Sequence, residues 1–326
     1  MFDYEYSYEL KKRVIKDYSL PIQAVSNEHI DYAFKLLSRF NKKYEVSILN
    51  STDLAQSFCK SEMCDVQEFS KAIRSFTQHC IDSVSSLDSY KQFNEVDMPQ
   101  NKNNPEFPMY SKGLDIYIHP NDGKRFISID LSKANFQSLK YVNAFSSYTK
   151  PIREYRDFLK EFGNSDNVYL IDYIRLSKSL RQPIFGNLNP KRQQGIEKIM
   201  TEQIIQSLLG NFLTKDDFYG YTTDEIILSD TCNTRRLADN RFEDVYVLTN
   251  TLGFEIHIED FYLQEIKPYS YWTKTDVTSG NILSIKKVPV VYFLQVIKHL
   301  IKEPIVEEDM KFLYEGTPCK MLSTLW

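Results

Sequence analysis

Asp130 ends an apolar stretch, Arg125-Phe126-Ile127-Ser128-Ile129-Asp130, and the pair Asp224-Glu225 lies between two others, Tyr219-Gly220-Tyr221 and Ile226-Ile227-Leu228. Each stretch reads as a β-strand that delivers a carboxylate at its end or at a turn. Carboxylates brought together by a sheet can hold divalent cations, and a pair of such cations can drive phosphoryl transfer. Asp130 taken alone suits a helix N-cap as well as a metal, because Leu131-Ser132-Lys133 can open a helix. The adjacent acids Asp224 and Glu225 repel each other at a hairpin tip unless a cation or water separates them. Thr222-Thr223-Asp224-Glu225 also lacks the Gly or Asn that a simple two-residue hairpin favours. A solvated turn is the plain alternative; the departure from turn chemistry points to function.

The elements that must position these acids follow from the pattern of the chain. Residues 1–92 are mostly helical, with apolar residues at helical spacing from Ile30 to Leu37 and from Leu54 to Ile81. The segment 94–108 carries Pro99, Pro105 and Pro108 among Asn and Lys and marks a boundary. Strands are predicted over Leu114–His119 and Arg125–Leu131, joined by Pro120-Asn121-Asp122-Gly123. Helices are predicted over 151–162 and 168–180. A loop, Arg181 to Pro190, then leads into a long helix from Lys191 to Leu209. After the hairpin, strands are predicted over 245–249, 254–259, 262–266, 271–275 and 282–286, and helices over 290–301 and 307–314. The expected class is α+β: a helical region (1–110), a strand-rich centre (111–289) with an antiparallel sheet backed by helices, and a short helical end (290–326).

Composition removes several alternatives. Gly numbers only 10, and neither G-x-G-x-x-G nor G-x-x-x-x-G-K-[ST] occurs, which excludes the usual glycine-rich nucleotide cradles. The five scattered Cys suit a reducing compartment rather than a disulfide scaffold. Met1-Phe2-Asp3-Tyr4-Glu5-Tyr6 is acidic and aromatic, so no signal peptide is expected, and no apolar run approaches the ~20 residues of a membrane span. An intracellular chain without membrane partners is expected. The net charge of −4 runs against a dedicated nucleic-acid binder, although a basic groove can sit on an acidic surface. Cys59, Cys64, His79 and Cys80 form a loose zinc-like set whose spacing suits small buried cysteines equally. His119 and His257 read as structural.

Four segments in chain order resemble the motifs of right-hand palm nucleic-acid polymerases. Asp130-Leu131-Ser132-Lys133-Ala134-Asn135 resembles motif A, and Asp224-Glu225-Ile226-Ile227-Leu228 resembles motif C. The latter is similar to the acidic pairs of DNA polymerase I-like enzymes and reverse transcriptases. Phe185-Gly186-Asn187-Leu188-Asn189-Pro190 with its long helix resembles motif B, and Leu252-Gly253-Phe254-Glu255-Ile256 the motif D turn. The resemblance covers about residues 112–290. It departs from reverse transcriptases in having Glu225 for a second Asp, and no Gln-Gly or Ser-Gly opens motif B.

The resemblance implies a palm whose 290–326 segment is thumb-like and whose 1–110 segment is fingers-like or accessory. It implies a template-directed nucleotidyltransferase without proofreading, acting on a primer–template and nucleoside triphosphates with two Mg²⁺ or Mn²⁺ ions. Asp130, Asp224 and Glu225 would be the catalytic and metal-binding acids. Asn135, Phe136, Lys178, Arg181, Asn189, Lys191 and Arg192 would line the nucleotide site. A polar Asn135 would admit a ribose 2′-hydroxyl and a bulky Phe136 would exclude it; spacing leaves open which one faces the sugar. Lys267 and Lys274 would contact the primer–template. Phage, viral or mobile-element origin and protein partners of a replication complex fit the size. The alternatives are a reverse-transcriptase-like or template-independent transferase, a nuclease on the same acids, and a non-catalytic nucleic-acid-binding or assembly protein.

Overall fold

Helical and strand periodicities separate along the chain, and the computed structural model, which describes residues 6–95, 107–240 and 242–326, follows that division. Five helices lead: α1 (Tyr8–Asp17), α2 (Asn27–Phe40), α3 (Lys42–Ser61), α4 (Val66–Ser86) and α5 (Asp88–Glu95). Then come β1 (Arg125–Leu131), α6 (Ala134–Tyr141), α7 (Tyr155–Phe162), α8 (Val168–Leu176), α9 (Lys178–Gly186) and α10 (Pro190–Asn211). The hairpin β2 (Phe218–Tyr221) and β3 (Glu225–Ser229) precedes α11 (Cys232–Asn240) and α12 (Phe242–Thr251). The chain closes with β4 (Ile256–Ile266), β5 (Tyr271–Asp276), β6 (Ile282–Lys286), α13 (Phe293–Leu300), β7 (Lys311–Tyr314) and β8 (Thr317–Lys320).

The class is α+β. One antiparallel six-stranded sheet has the order β2-β3-β1-β4-β5-β6, and β7 pairs with β8 separately. Its first four strands form a β-α-β-β-α-β arrangement: β1 and β2 are linked through helices ending in α10, and β3 and β4 through α11 and α12. Two compact units result. One comprises residues 1–83, 152–184 and 288–326; the other, 84–151 and 185–287, holds the whole six-stranded sheet. Residues 1–83 and 288–326 thus fall in one unit together with α7 and α8, whereas α5 falls in the unit that holds the sheet. Met1–Glu5, Pro99 and Pro105 lie outside the described residues.

Side-chain alternation gives the sheet two different faces. Phe126, Ile227, Phe261, Leu263 and Trp272 form one buried cluster, covered by Ile116 with Leu114 and Tyr117. The opposite face carries Ile127, Ile129, Ile226 and Leu228, each at most 2% exposed, beneath the helices. Both faces of β1 are therefore apolar over most of its length, and the polarity of Asp130 stands out at its end.

Four predicted elements are corrected. Leu114–His119 forms no strand; Leu114, Ile116 and Tyr117 pack against the sheet's buried cluster outside any ladder, and a 3-10 turn follows at His119–Asn121. The 245–249 stretch is helix α12, because Val245 and Thr249, four apart, both face inward and Glu243-Asp244 favour a helix start. Much of the predicted loop after Arg181 is helix α9, which tolerates Pro183 because only one backbone bond is lost near its end. The expected helix 307–314 is a 3-10 turn, Glu307–Met310, running into the β7–β8 hairpin; Glu315 and Gly316 at its tip both take positive φ (48° and 80°). The end of the chain is therefore not wholly helical. Strands 254–259 and 262–266 merge into the single β4.

Gly220 in β2 lets the 109–114 segment lie against the sheet. A Cβ there would meet the Met109 carbonyl at 3.0 Å and the Leu114 methyls at 3.2 and 3.3 Å. Gly220→Val is expected to cost about 1–3 kcal/mol through overpacking, read as a lower urea midpoint at unchanged slope; a midpoint equal to the parent would show that the segment yields freely.

Candidate functional site

The register of β1 builds the site. Asp130 stands opposite Glu225 of β3 on one side and His257 of β4 on the other. Directly paired residues share a face with Cβ atoms about 4.5–5.5 Å apart. Asp130, Glu225, His257 and, two residues along, Glu259 therefore line the same face beyond the apolar cluster. Asp224 occupies the hairpin tip, and its carbonyl accepts from Leu131 N–H at 2.8 Å, which ties the tip to the residue after Asp130. The tip is closed by Thr222, whose N–H donates to the Glu225 carbonyl at 2.8 Å and whose hydroxyl accepts from Glu225 N–H at 3.1 Å. Thr222 and Thr223 hydroxyls donate to Asp224 Oδ1 at 3.2 and 3.3 Å. Threonines thus supply the turn geometry that Gly or Asn would otherwise provide.

The charge balance of this region is acidic. Burial raises the pKa of Glu225, and the charges of Asp224 and Glu259 add to the shift; Lys274 and the Ser128 hydroxyl oppose it. Lys274 is buried, pairs with Glu259 at 3.2 Å and lies 4.2 Å from the centre of the Phe261 ring. Glu197, on α10 and only 4% exposed, is pushed up to about 7 by burial and by the Asp224 charge. Its Oε1 accepts from Asn135 Nδ2 at 2.8 Å. One turn along α10, the Thr201 hydroxyl donates to the Thr223 carbonyl at 2.8 Å.

The sequence-predicted residues divide accordingly. Asp130 and Glu225 pair at one end of the sheet, the Asp224 backbone is tied to Leu131 there, and Asn135 is held by Glu197 of α10. Lys274 joins them as a buried counter-charge, not as an exposed contact for a primer phosphate. Phe136 is a core side chain, 2% exposed and stacked on Phe145 at 6.1 Å, so it does not face a sugar site. Asn189 caps α10 by accepting from Arg192 N–H at 3.4 Å, Lys191 is exposed, and the Arg192 guanidinium lies 4.9 Å from the centre of the Phe93 ring. Lys178 and Arg181 belong to the other unit, where Arg181 packs over Tyr155 at 5.6 Å and burial lowers its pKa. Lys267 is exposed and pairs with Asp122 at 3.7 Å.

Glu197, Thr201, Glu259 and His257 were not anticipated at the site. The signal for the first two was present as two polar residues, four apart, amid the apolar Ile196, Met200 and Ile204 of α10. Cys59, Cys64, His79 and Cys80 do not gather: Cys59 and Cys64 lie close to each other, whereas Cys80 is fully buried and His79 is exposed.

The donor set at the hairpin is carboxylate oxygen, which suits Mg²⁺ or Mn²⁺ rather than a soft metal. Among the described residues no group of three or more His, Cys, Asp or Glu converges as a complete metal cage. Mg²⁺ commonly uses one or two protein carboxylates and completes its shell with water and substrate phosphates, so the acids fit that mode and not a self-sufficient cage. Among the described residues no helix is long and apolar enough to cross a membrane. No family model matches the chain, and neither a curated protein nor a solved structure matches it significantly.

The raised pKa of Glu197 has a stability consequence. A carboxyl that holds its proton more tightly when folded favours folding below its unfolded pKa near 4.5, and that contribution is lost as pH rises through about 7. In metal-free buffer the parent is expected to lose up to about 3 kcal/mol relative to Glu197→Gln between pH 5 and pH 8. Urea titrations at both pH values measure this; a pH-independent difference would show that Glu197 titrates normally.

Proposed function

We propose that the chain is a nucleotidyltransferase of the palm-polymerase type that extends a nucleic-acid 3′-hydroxyl with nucleoside triphosphates. The observation that carries this reading is the register: Asp130 opposite Glu225, with Asp224 tied to Leu131 at the hairpin tip, at one end of an antiparallel sheet in β2-β3-β1-β4 order. In that order α10 falls where motif B is expected and the Gly253 turn, at φ 81°, where motif D is expected.

Asp130 and Asp224 would hold Mg²⁺ ions. When bound, such ions lower the pKa of a primer hydroxyl and neutralise charge on the transferring and leaving phosphates. The protein's own residues prepare that site. Lys274 compensates Glu259 and favours an ionised Glu225. The Thr222 and Thr223 hydroxyls orient Asp224 Oδ1. With Phe136 in the core, Asn135, held on Glu197, is the polar residue of this segment, and in this reading it accepts a ribose 2′-hydroxyl rather than excluding it. Exposed Lys191, at the start of α10, stands where its charge opposes the helix dipole, an arrangement that suits a nearby triphosphate.

A second reading, a non-catalytic nucleic-acid-binding or assembly protein, is favoured by the lack of a complete metal cage among the described residues. One experiment separates the two. The protein is incubated with labelled primer–template, Mg²⁺ and nucleoside triphosphates, alongside Asp130→Asn and Asp224→Asn. Extension by the parent is expected to fall at least ~1000-fold in each variant, equivalent to about 4 kcal/mol of transition-state stabilisation. Melting temperatures should hold or rise, because each change removes one of several clustered like charges. A collapse in stability, or no extension by the parent, would assign the acids a structural role; primer shortening would indicate a nuclease.

A further inference from the structure

Threonine in the middle of a helix ordinarily bonds its hydroxyl back to the carbonyl four residues earlier. Thr52 and Thr249 do so here, at 2.7 and 3.0 Å. Thr201 does not follow them. Its side chain is 1% exposed, and its hydroxyl leaves α10 to donate to the carbonyl of Thr223, the residue before Asp224. Thr is also a poorer helix former than the residues that normally fill a helix interior. Four positions before it on the same helix, Glu197 accepts from Asn135, five residues beyond Asp130. α10 therefore touches both carboxylate-bearing segments through adjacent buried polar groups: the turn that carries Asp224 and the helix that follows Asp130.

Resting on the function proposed above, we infer that Thr201 is a positioning residue that sets the hairpin tip, and with it the Asp224 carboxylate, against Asp130. The reach of the inference comes from rigidity. The Asp224 peptide is fixed on one side by Leu131 N–H at its carbonyl, and the preceding peptide is fixed by Thr201 on the other. Removing the Thr201 hydroxyl leaves the carbonyl of the half-buried Thr223 without that donor and frees the tip to shift. A misplacement of ~1 Å in such a site costs on the order of 100-fold in rate.

The test compares Thr201→Val, which keeps the shape and loses the donor, with Thr201→Ser, which keeps the donor. Two readouts are used: steady-state primer extension, and Mn²⁺ affinity of the free protein by paramagnetic titration. Thr201→Val is expected to lower kcat about 10- to 100-fold with KM for the nucleotide nearly unchanged, and to weaken Mn²⁺ by a similar factor; Thr201→Ser should restore both. Equal activity and Mn²⁺ affinity in Thr201→Val and parent would overturn the inference. So would Thr201→Ser being as impaired as Thr201→Val at equal melting temperature. If the parent extends no primer but Mn²⁺ still weakens in Thr201→Val and recovers in Thr201→Ser, the positioning role stands and the polymerase reading falls. A parent that neither extends primer nor binds Mn²⁺ overturns both.

Discussion

The pairing of β1 with β3 in a single register governs everything else at the candidate site. With Asp130 against Glu225, the carboxylates share a face; slipped by one residue, they would point to opposite sides of the sheet. What holds that register is apolar. Ile129 pairs with Ile226 and Ile127 with Leu228, all buried under the helices, while Phe126 and Ile227 are buried on the other face. A slip of β1 would drive Ser128 and Asp130 into the helix-covered core and bring Ile127 and Ile129 out to the acidic face. Core packing thus specifies a polar arrangement that it does not touch.

That arrangement is costly by itself. Burial and mutual repulsion raise the pKa values of both Glu197 and Glu225, so the folded protein works against its own acids near neutral pH. Lys274 relieves part of this from β5, with its ammonium held between Glu259 and the Phe261 ring. The hydroxyls of Thr222, Thr223 and Ser128 relieve another part through hydrogen bonds. The relief is distributed over two strands and one turn, so no single local motif contains the site.

Legibility in the sequence tracked how local each constraint is. β1 was readable because Phe126, Ile127 and Ile129 form an apolar run ended by an acid, and the β2–β3 hairpin because β formers flank Thr222–Asp224 on both sides. Val245–Thr249 looked like a strand because its β-branched and aromatic residues outweighed the four-residue spacing that faces the core, and tertiary packing decided for a helix. Leu114–His119 has strand-like residues but no ladder partner, since its role is to cover Trp272 and Phe261. Pro183 and Gly186 suggested a loop, although a short helix accommodates both at its end. At the site, Asp130, Asp224 and Glu225 were legible as strand-end acids. Glu197 and Thr201 were not, because their partners lie 62 and 22 residues away and only the fold makes them neighbours.

Topology alone carries little functional weight, because an antiparallel sheet with two crossover connections serves many unrelated activities. The placement of charge is more discriminating. A sheet that only needed to pack would gain from apolar residues at the ends of β1 and β3, as it does at Ile127 and Leu228. Instead Asp130, Glu225 and Glu259 share one face at this end of the sheet, with Asp224 at the adjoining hairpin tip and the buried Lys274 paired with Glu259. The chain's small excess of acid, −4 overall, is thus concentrated in part at a single end of the sheet. A polyanionic substrate would be repelled from such a surface unless divalent cations intervened, so binding there should be metal-dependent before any chemistry occurs. The same electrostatics that weaken the metal-free fold would then favour the assembled complex, and such a coupling would distinguish a working carboxylate site from acids that merely cap a turn.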